Sequence, residues 1–420
     1  MKTTRRNFLK TGTGLAVAGG FAGLKGETTT TPVAEEIKTR LQRLEPVTRE
    51  DYLTRREKAR RLMQQHDLDA LFIEAGTDLV YFSGVHWWPS ERVFALVLPR
   101  KGEPLWISPA FEEARARELM GAEEAIRVWQ EDENPYRVVS GLLHDFGILS
   151  GRMALAPGVR HFVLDGLMKQ IHGVELVNGA AVTESCRGIK SAKELAHMEV
   201  ANQATKLAYR QAFRKIRTGM EPDELAGLIT KAHAGFGVQG GGWPSFGASA
   251  AQPHGSSLAQ NLGPGEVVLV DGGCRVAGYR SDVTRTVVHG RPTDRQRRVW
   301  DTVKRAQDAV FAAVRPGITC GSLDRVARKV IEDAGFGPGY RYFSHRLGHG
   351  IGLDGHEYPY LVRGNDLKLK PGMTFSNEPG IYIPGEFGIR LEDCFAVTET
   401  GARILGGMRS VSIDRPFGTD

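Results

Sequence analysis

Ser344-His-Arg-Leu-Gly-His-Gly-Ile-Gly-Leu-Asp-Gly-His-Glu357 is the stretch on which the reading of this chain turns, because it packs three histidines, an aspartate and a glutamate into a glycine-rich run. Glycine opens backbone conformations closed to other residues and lets ligands approach, so a glycine-lined strand carrying imidazoles suits a metal cradle. Acidic motifs surround it: Asp271 in Val-Leu-Val-Asp-Gly-Gly, Asp282 in Tyr-Arg-Ser-Asp-Val-Thr-Arg-Thr, Glu378 in Asn-Glu-Pro-Gly and Glu392 in Ile-Arg-Leu-Glu-Asp. One histidine with four carboxylates points to a pair of divalent cations.

Four carboxylates and one neutral imidazole carry a charge of about −4, which matches two divalent ions, and hard oxygen ligands favour Mn, Co, Fe or Zn over thiolate-loving ions. Two such ions roughly 3.5–4 Å apart can lower the pKa of a shared water and offset the charge of the oxyanion formed by its attack. That is the chemistry of amide or ester hydrolysis. A donor for the leaving nitrogen or the oxyanion is also needed, and His254 and His356 remain for it.

Upstream of these motifs, Ser191 with Glu194 three residues on makes a capping box. It precedes an apolar stripe of Leu195, Met198, Ala201, Leu207, Ala208 and Phe213, so a long helix opens a second unit. Pro222 opens another, to about Ala234. Val267 to Asp271 reads as a strand with the acid at its end, and Asp282 follows a turn at Gly278. Two strands so joined form an antiparallel hairpin that presents both aspartates to one place. Helices are expected at Arg298 to Val314 and Leu323 to Ala334, with strand-like segments carrying His349, Glu378 and Glu392. Helices followed by hairpins make an α+β unit spanning 190–420. The Gly-x-Gly runs lack the strand–turn–helix setting of a dinucleotide site.

Further out, residues 45–188 alternate helix and strand signals (Tyr52 to His66, Asp69 to Glu74, Ala95 to Pro99, Pro104 to Ser108), which predicts a smaller α/β domain. Its histidines, His66, His86, His144, His161 and His172, are scattered singly, and Tyr81, Trp87 and Trp88 read as core or interface aromatics. Two domains fit a 420-residue chain with 41% hydrophobic and 25% charged residues. The formal charge of +6 is concentrated at the start: residues 1–26 hold five basic groups and no acid, leaving +1 for the remainder. No nucleic-acid partner is implied. Four dispersed cysteines, none in a CxxC pair, are expected to be buried free thiols.

The five ligand candidates and their motifs together resemble the pita-bread metallopeptidases, the family of methionine aminopeptidase, aminopeptidase P and prolidase, and the first domain resembles the creatinase/prolidase amino-terminal domain. The resemblance implies a pita-bread catalytic domain in which Asp271 binds one metal, His349 and Glu378 the other, and Asp282 and Glu392 bridge. It implies that His254 contacts the scissile peptide and steadies the oxyanion, that His356 lines the leaving-group side, and that Arg390 is tied to the acids. His345 receives no role. The presence of the first domain favours the proline-directed branch, hence hydrolysis of an Xaa-Pro bond at the amino end of a dipeptide or peptide, by a homodimer holding two metals, manganese foremost. The alternatives are a creatinase-like or other carbon–nitrogen amide hydrolase on the same fold, and a non-catalytic binding protein; the intact ligand set weighs against both. Gly355, before His356, departs from the apolar residue many relatives have. The leader, Thr-Arg-Arg-Asn-Phe-Leu-Lys at 4–10 followed by a short apolar run, resembles the twin-arginine signal of bacteria, with a linker to residue 32, and implies export of a folded protein by that machinery to the periplasm or beyond.

Overall fold

The computed structural model describes residues 32–121, 123–256 and 260–418. The leader, and with it the expected export signal, lies outside the described residues. Among them no helix is long and apolar enough to cross a membrane.

The N-terminal domain is built on one six-stranded sheet, whose strands are β1 (Ala70–Glu74), β2 (Ala95–Pro99), β3 (Leu105–Pro109), β4 (Ala125–Trp129), β5 (Gly151–Leu155) and β6 (Val174–Asn178). Their spatial order is β4-β3-β2-β1-β5-β6. β1 pairs parallel to β5 but antiparallel to β2. Every residue of β1 and β2 is buried, as a strand covered on both faces requires. One apolar cluster lies on each face, around Phe82, Phe94 and Trp106 on one side and Phe72, Leu142 and Leu167 on the other.

The second domain opens where the capping box was expected. Ser191 Oγ accepts from the Glu194 N–H and Glu194 Oε2 from the Ser191 N–H, satisfying two of the donors a helix start leaves open. The helix runs Ala192–Phe213 and is followed by Pro222–Gly235. A second pair, Asp294–Ala313 and Cys320–Asp333, packs into the largest apolar cluster of the molecule. Every strand pairing in this domain is antiparallel, in agreement with an α+β unit.

Each helix pair carries its own strands, and the two halves meet edge to edge. The Glu392 N–H donates to the Thr284 carbonyl at 3.1 Å, and Thr286 Oγ1 to the Arg390 carbonyl at 2.7 Å. The metal-ligand candidates sit along this seam. The helix Pro32–Gln42, outside both expected domains, packs Ala34 and Ile37 against Val200, Ala201 and Ala204 of the second domain. All four cysteines are buried free thiols.

Candidate metal centre

Asp271 stands one residue before the end of the strand Val267–Gly272, which pairs in register with Val283–Val288, so that Asp271 faces Thr284. The simple hairpin predicted from sequence is interrupted: the short strands Cys274–Val276 and Tyr279–Arg280 form their own ladder between the two, and Asp282 lies just before Val283, where the main pair resumes. His349 is the centre of the strand Gly348–Gly350. Glu378 and Glu392 lie at strand junctions, after Thr374–Asn377 and after Phe387–Arg390, and not within strands as expected. A residue between two strands is released from the alternation of the pleat, so its carboxylate can turn toward the seam.

The glycines beside His349 have a steric cause. A Cβ at Gly348 would lie 2.2 Å from the Ser376 carbonyl oxygen, and one at Gly350 2.6 Å from that of Glu357. The neighbouring backbones press directly on this strand, so only glycine can flank the imidazole.

The five side chains converge. Ligand-capable atoms of Asp271, Asp282 and Glu392 lie within 4.8 Å of one another, and so do those of His349, Glu378 and Glu392. Glu392 is common to both sets, the arrangement required of a carboxylate that serves two adjacent ions. His349 Nε2 is 3.3 Å from Glu378 Oε1 and 3.7 Å from Asp282 Oδ2. Its Nδ1 lies 3.0 Å from the Gly350 carbonyl, which can only accept. Nδ1 therefore carries a proton, and Nε2 is the nitrogen available to a metal.

Without cations such a cluster must hold protons. Desolvation, and then the facing Asp271, push Asp282 up to about 8, and burial together with Asp282 and Glu378 drives Glu392 well above the carboxylate range. Burial works against charge on Glu378 too, but the hydrogen bond and charge of His349 pull it down to about 2. Burial likewise opposes the imidazolium of His349, yet Glu378 and Asp282 raise it to about 9. The donor set is hard, acid-rich and short of positive charge, and it fits divalent cations.

Arg390 is 3% exposed and touches nearly every part of the site. Nη2 is 3.0 Å from Asp271 Oδ2, Nε donates to Thr284 Oγ1 at 3.1 Å, and Nη1 donates to the Tyr382 hydroxyl at 2.8 Å and the Pro253 carbonyl at 3.0 Å. The last bond tethers the loop that carries His254. His254 itself is exposed and belongs to none of the ligand clusters. His356 stacks on His349 with ring centroids 3.8 Å apart, and its ligand-capable atoms join those of His349 and Asp282 within the same 4.8 Å. Burial and the neighbouring His349 hold its pKa below the ordinary histidine range, so it is neutral near pH 7. Its loop is anchored by ion pairs of Arg187 with Asp354 (2.7 Å), Asp78 (3.0 Å) and Glu357, and of Lys190 with Glu357 (3.1 Å).

Three positioning residues escaped the sequence reading. Thr284 Oγ1 lies 2.8 Å from Asp271 Oδ1 and 2.7 Å from Glu392 Oε2. A hydroxyl has one proton to give, so one of these carboxyls must bring its own, in keeping with the raised pKa of Glu392. Ser376 Oγ bonds Glu378 Oε1 at 3.1 Å and accepts from the His349 N–H at 3.0 Å. Tyr382 links Arg390 to His345, whose Nδ1 donates to the Arg346 carbonyl at 2.7 Å; Nε2 must then accept from the Tyr382 hydroxyl at 2.8 Å. Thr284 is visible in Ser-Asp-Val-Thr-Arg-Thr, but its role depends on facing Asp271 across the ladder.

Known proteins are similar to this chain across both domains. Residues 196–399 match the model of metallopeptidase family M24, and residues 55–189 that of the creatinase/prolidase N-terminal domain. The Xaa-Pro dipeptidase of Lactobacillus helveticus is 35% identical over 82% of this chain and 94% of its own. The crystal structure of dipeptidase PepE from Mycobacterium ulcerans is similar at 34% identity and a TM-score of 0.81, covering 86% of this chain and 97% of that one. Prolidase from Thermococcus sibiricus is similar at 29% identity and a TM-score of 0.77, over 84% and 96%.

Proposed function

Since this chain belongs to metallopeptidase family M24, with a creatinase-type α/β domain ahead of a pita-bread catalytic domain, we propose that it hydrolyses the Xaa-Pro bond of dipeptides. The observation that carries this reading is the convergence of Asp271, Asp282, His349, Glu378 and Glu392 at one seam, with Glu392 shared by two ligand sets. Divalent ions held there would supply Lewis acidity, activating water and offsetting the charge of the oxyanion. The rest is the work of the chain. Arg390 and Thr284 orient Asp271 and Glu392; the Ser376 hydroxyl orients Glu378 and accepts the backbone N–H of His349. Neutral His356 stands where the proline nitrogen leaves, and His254, at the rim on a loop tethered by Arg390, is the donor for the oxyanion.

Four carboxylates to one imidazole support manganese. The exposed Trp88 and Phe111 of the N-terminal domain, 83% and 63% accessible, support a homodimer. Arg5 and Arg6 support twin-arginine export to the periplasm or beyond, which fractionation of cells carrying both Arg→Lys changes will check. The activity is tested by turnover of Ala-Pro beside Ala-Pro-Ala and a non-proline dipeptide, with chelation and Mn²⁺ add-back. Metal-dependent cleavage of Ala-Pro is expected. Equal cleavage of the non-proline control would overturn the specificity, and turnover that ignores chelator would overturn the chemistry.

A further inference from the structure

The loop that carries His356 has a second face. Leu353 and Asp354 line a cleft between the two domains, a cavity of about 740 Å³. Four arginines line it, among them Arg115 from the helix Glu113–Met120, Arg275 from Cys274–Val276 and Arg280 from Tyr279–Arg280.

Arg275 and Arg280 are direct partners in the strand register. Like charges placed opposite each other on neighbouring strands repel, and a fold bears that cost more easily where a counter-charge is available. Among the described residues, no carboxylate lies within ion-pair distance of any of the three. Arg115 stacks over Trp87 at 5.2 Å, and Arg280 Nε donates to the Leu353 carbonyl at 3.1 Å. The acid of the cleft, Asp354, is already committed to Arg187 at 2.7 Å and to Thr77 at 2.7 Å, and the cleft's fourth arginine, Arg55, is paired with Glu194 at 3.3 Å. Asp354 and Asp282 act on Arg280 only through longer-range attraction, so this wall carries more positive charge than its ion pairs balance.

Gly355, next in the chain to Asp354, lies against the same arginine: a Cβ there would meet Arg280 Cδ at 3.8 Å, an ordinary contact.

We propose that Arg115, Arg275 and Arg280 form an anion subsite in the interdomain cleft that takes a small oxyanion, either a carboxylate of the substrate or free phosphate. Guanidiniums are the side chains best suited to such ligands, through paired N–H donors. The subsite stands independently of the Xaa-Pro reading except where the substrate supplies the carboxylate.

The test uses the full-length, metal-loaded protein. Inorganic phosphate is titrated calorimetrically into the wild type, Arg275→Gln and Arg280→Gln, and thermal midpoints are recorded with and without it. Saturable binding that weakens tenfold or more in each variant is expected. So is a crossing of stabilities: without phosphate Arg275→Gln should melt above the wild type, because the repulsion is relieved, and it should lose most of the gain phosphate confers. Kinetics with Glu-Pro and Gln-Pro then separate the sources. Phosphate that raises KM for Glu-Pro alone identifies the substrate's carboxylate as the natural occupant, whereas binding that leaves both KM values unchanged identifies a free ion; each supports the subsite. Absence of binding, or equal affinity in the wild type and both variants, would overturn it, the second result placing phosphate at the metal centre. Failure to hydrolyse either dipeptide would remove the Xaa-Pro reading, while the phosphate titration would still decide the subsite.

Discussion

Glu392 and Asp393 are chain neighbours, both buried, and they face opposite kinds of surroundings. Glu392 looks into the seam, where Asp282, Glu378 and Asp271 crowd it and drive its pKa well up. Asp393 looks the other way, 2.7 Å from both Lys206 Nζ and Arg285 Nη2, and although burial opposes its charge, these two cations hold its pKa below the usual carboxylate value. Their other donors go to carbonyls of Leu405, Gly407, Met408, Thr284 and Glu392 itself, leaving only Arg285 Nε without a partner among the described residues. One residue apart, the fold builds a cluster that is complete without any other component and one that lacks positive charge. The complete cluster is architecture. The deficient one requires a component from outside, and the backbone between them gives both the same rigid base.

If that contrast is right, damage to the two clusters should have different signatures. The largest effect is expected from Glu392→Ala, which removes the carboxylate shared by both ligand sets: hydrolysis should fall to background and bound metal below two ions per chain, as elemental analysis would show, with the fold retained. Asp393→Asn should do the reverse. It strands two buried cations, a loss of about 3–5 kcal/mol by denaturant unfolding, while the folded fraction keeps its metal.

Glu357 offers a third cluster that sharpens the comparison, because it too is a balanced acid. Burial opposes its charge, yet Lys190 and Arg187 depress its pKa to about 2. A carboxyl lowered on folding stabilises the protein above its unfolded value and loses that contribution as pH falls through the folded one. Glu357→Gln should therefore cost about 3 kcal/mol at neutral pH and flatten the stability profile between about pH 4.5 and 2. The smallest of these effects is expected at His254, which lies outside the ligand clusters: His254→Ala should lower kcat by about 10²-fold with metal content unchanged. Unchanged turnover would remove it from the mechanism.

The sequence exposed one of these clusters and hid the others. Asp271, Asp282, His349 and Glu378 each stand in a short motif of glycine, proline or alternating hydroxyl residues, and Glu392 in the charged run Arg-Leu-Glu-Asp, so local patterning marks them. The Ser191 capping box and the helices that frame the halves are local in the same sense. By contrast, Lys206 is an unremarked polar position on a long helix, and its partner Asp393 is 187 residues away; only tertiary packing makes them a pair. Thr284 and Tyr382 acquire their roles from strand register and from a proton inventory that no spacing rule encodes. The inserted ladder at 274–280 was missed because a single glycine turn explains the same residues more simply. The helix Pro32–Gln42 was passed over because eleven residues, mean polar, gave no sign of the surface that would receive Ala34 and Ile37.

The seam is deficient in positive charge by about the amount two divalent ions provide. Calorimetric titration of Mn²⁺ into metal-free protein at pH 7, repeated in two buffers of different ionisation enthalpy, measures ion stoichiometry and proton release together. Two ions per chain, with protons expelled as they bind because Asp282 and Glu392 surrender the ones they hold, is the predicted result. A protein that binds fewer than two ions, or that takes them up without releasing protons while still cleaving Ala-Pro, would contradict it.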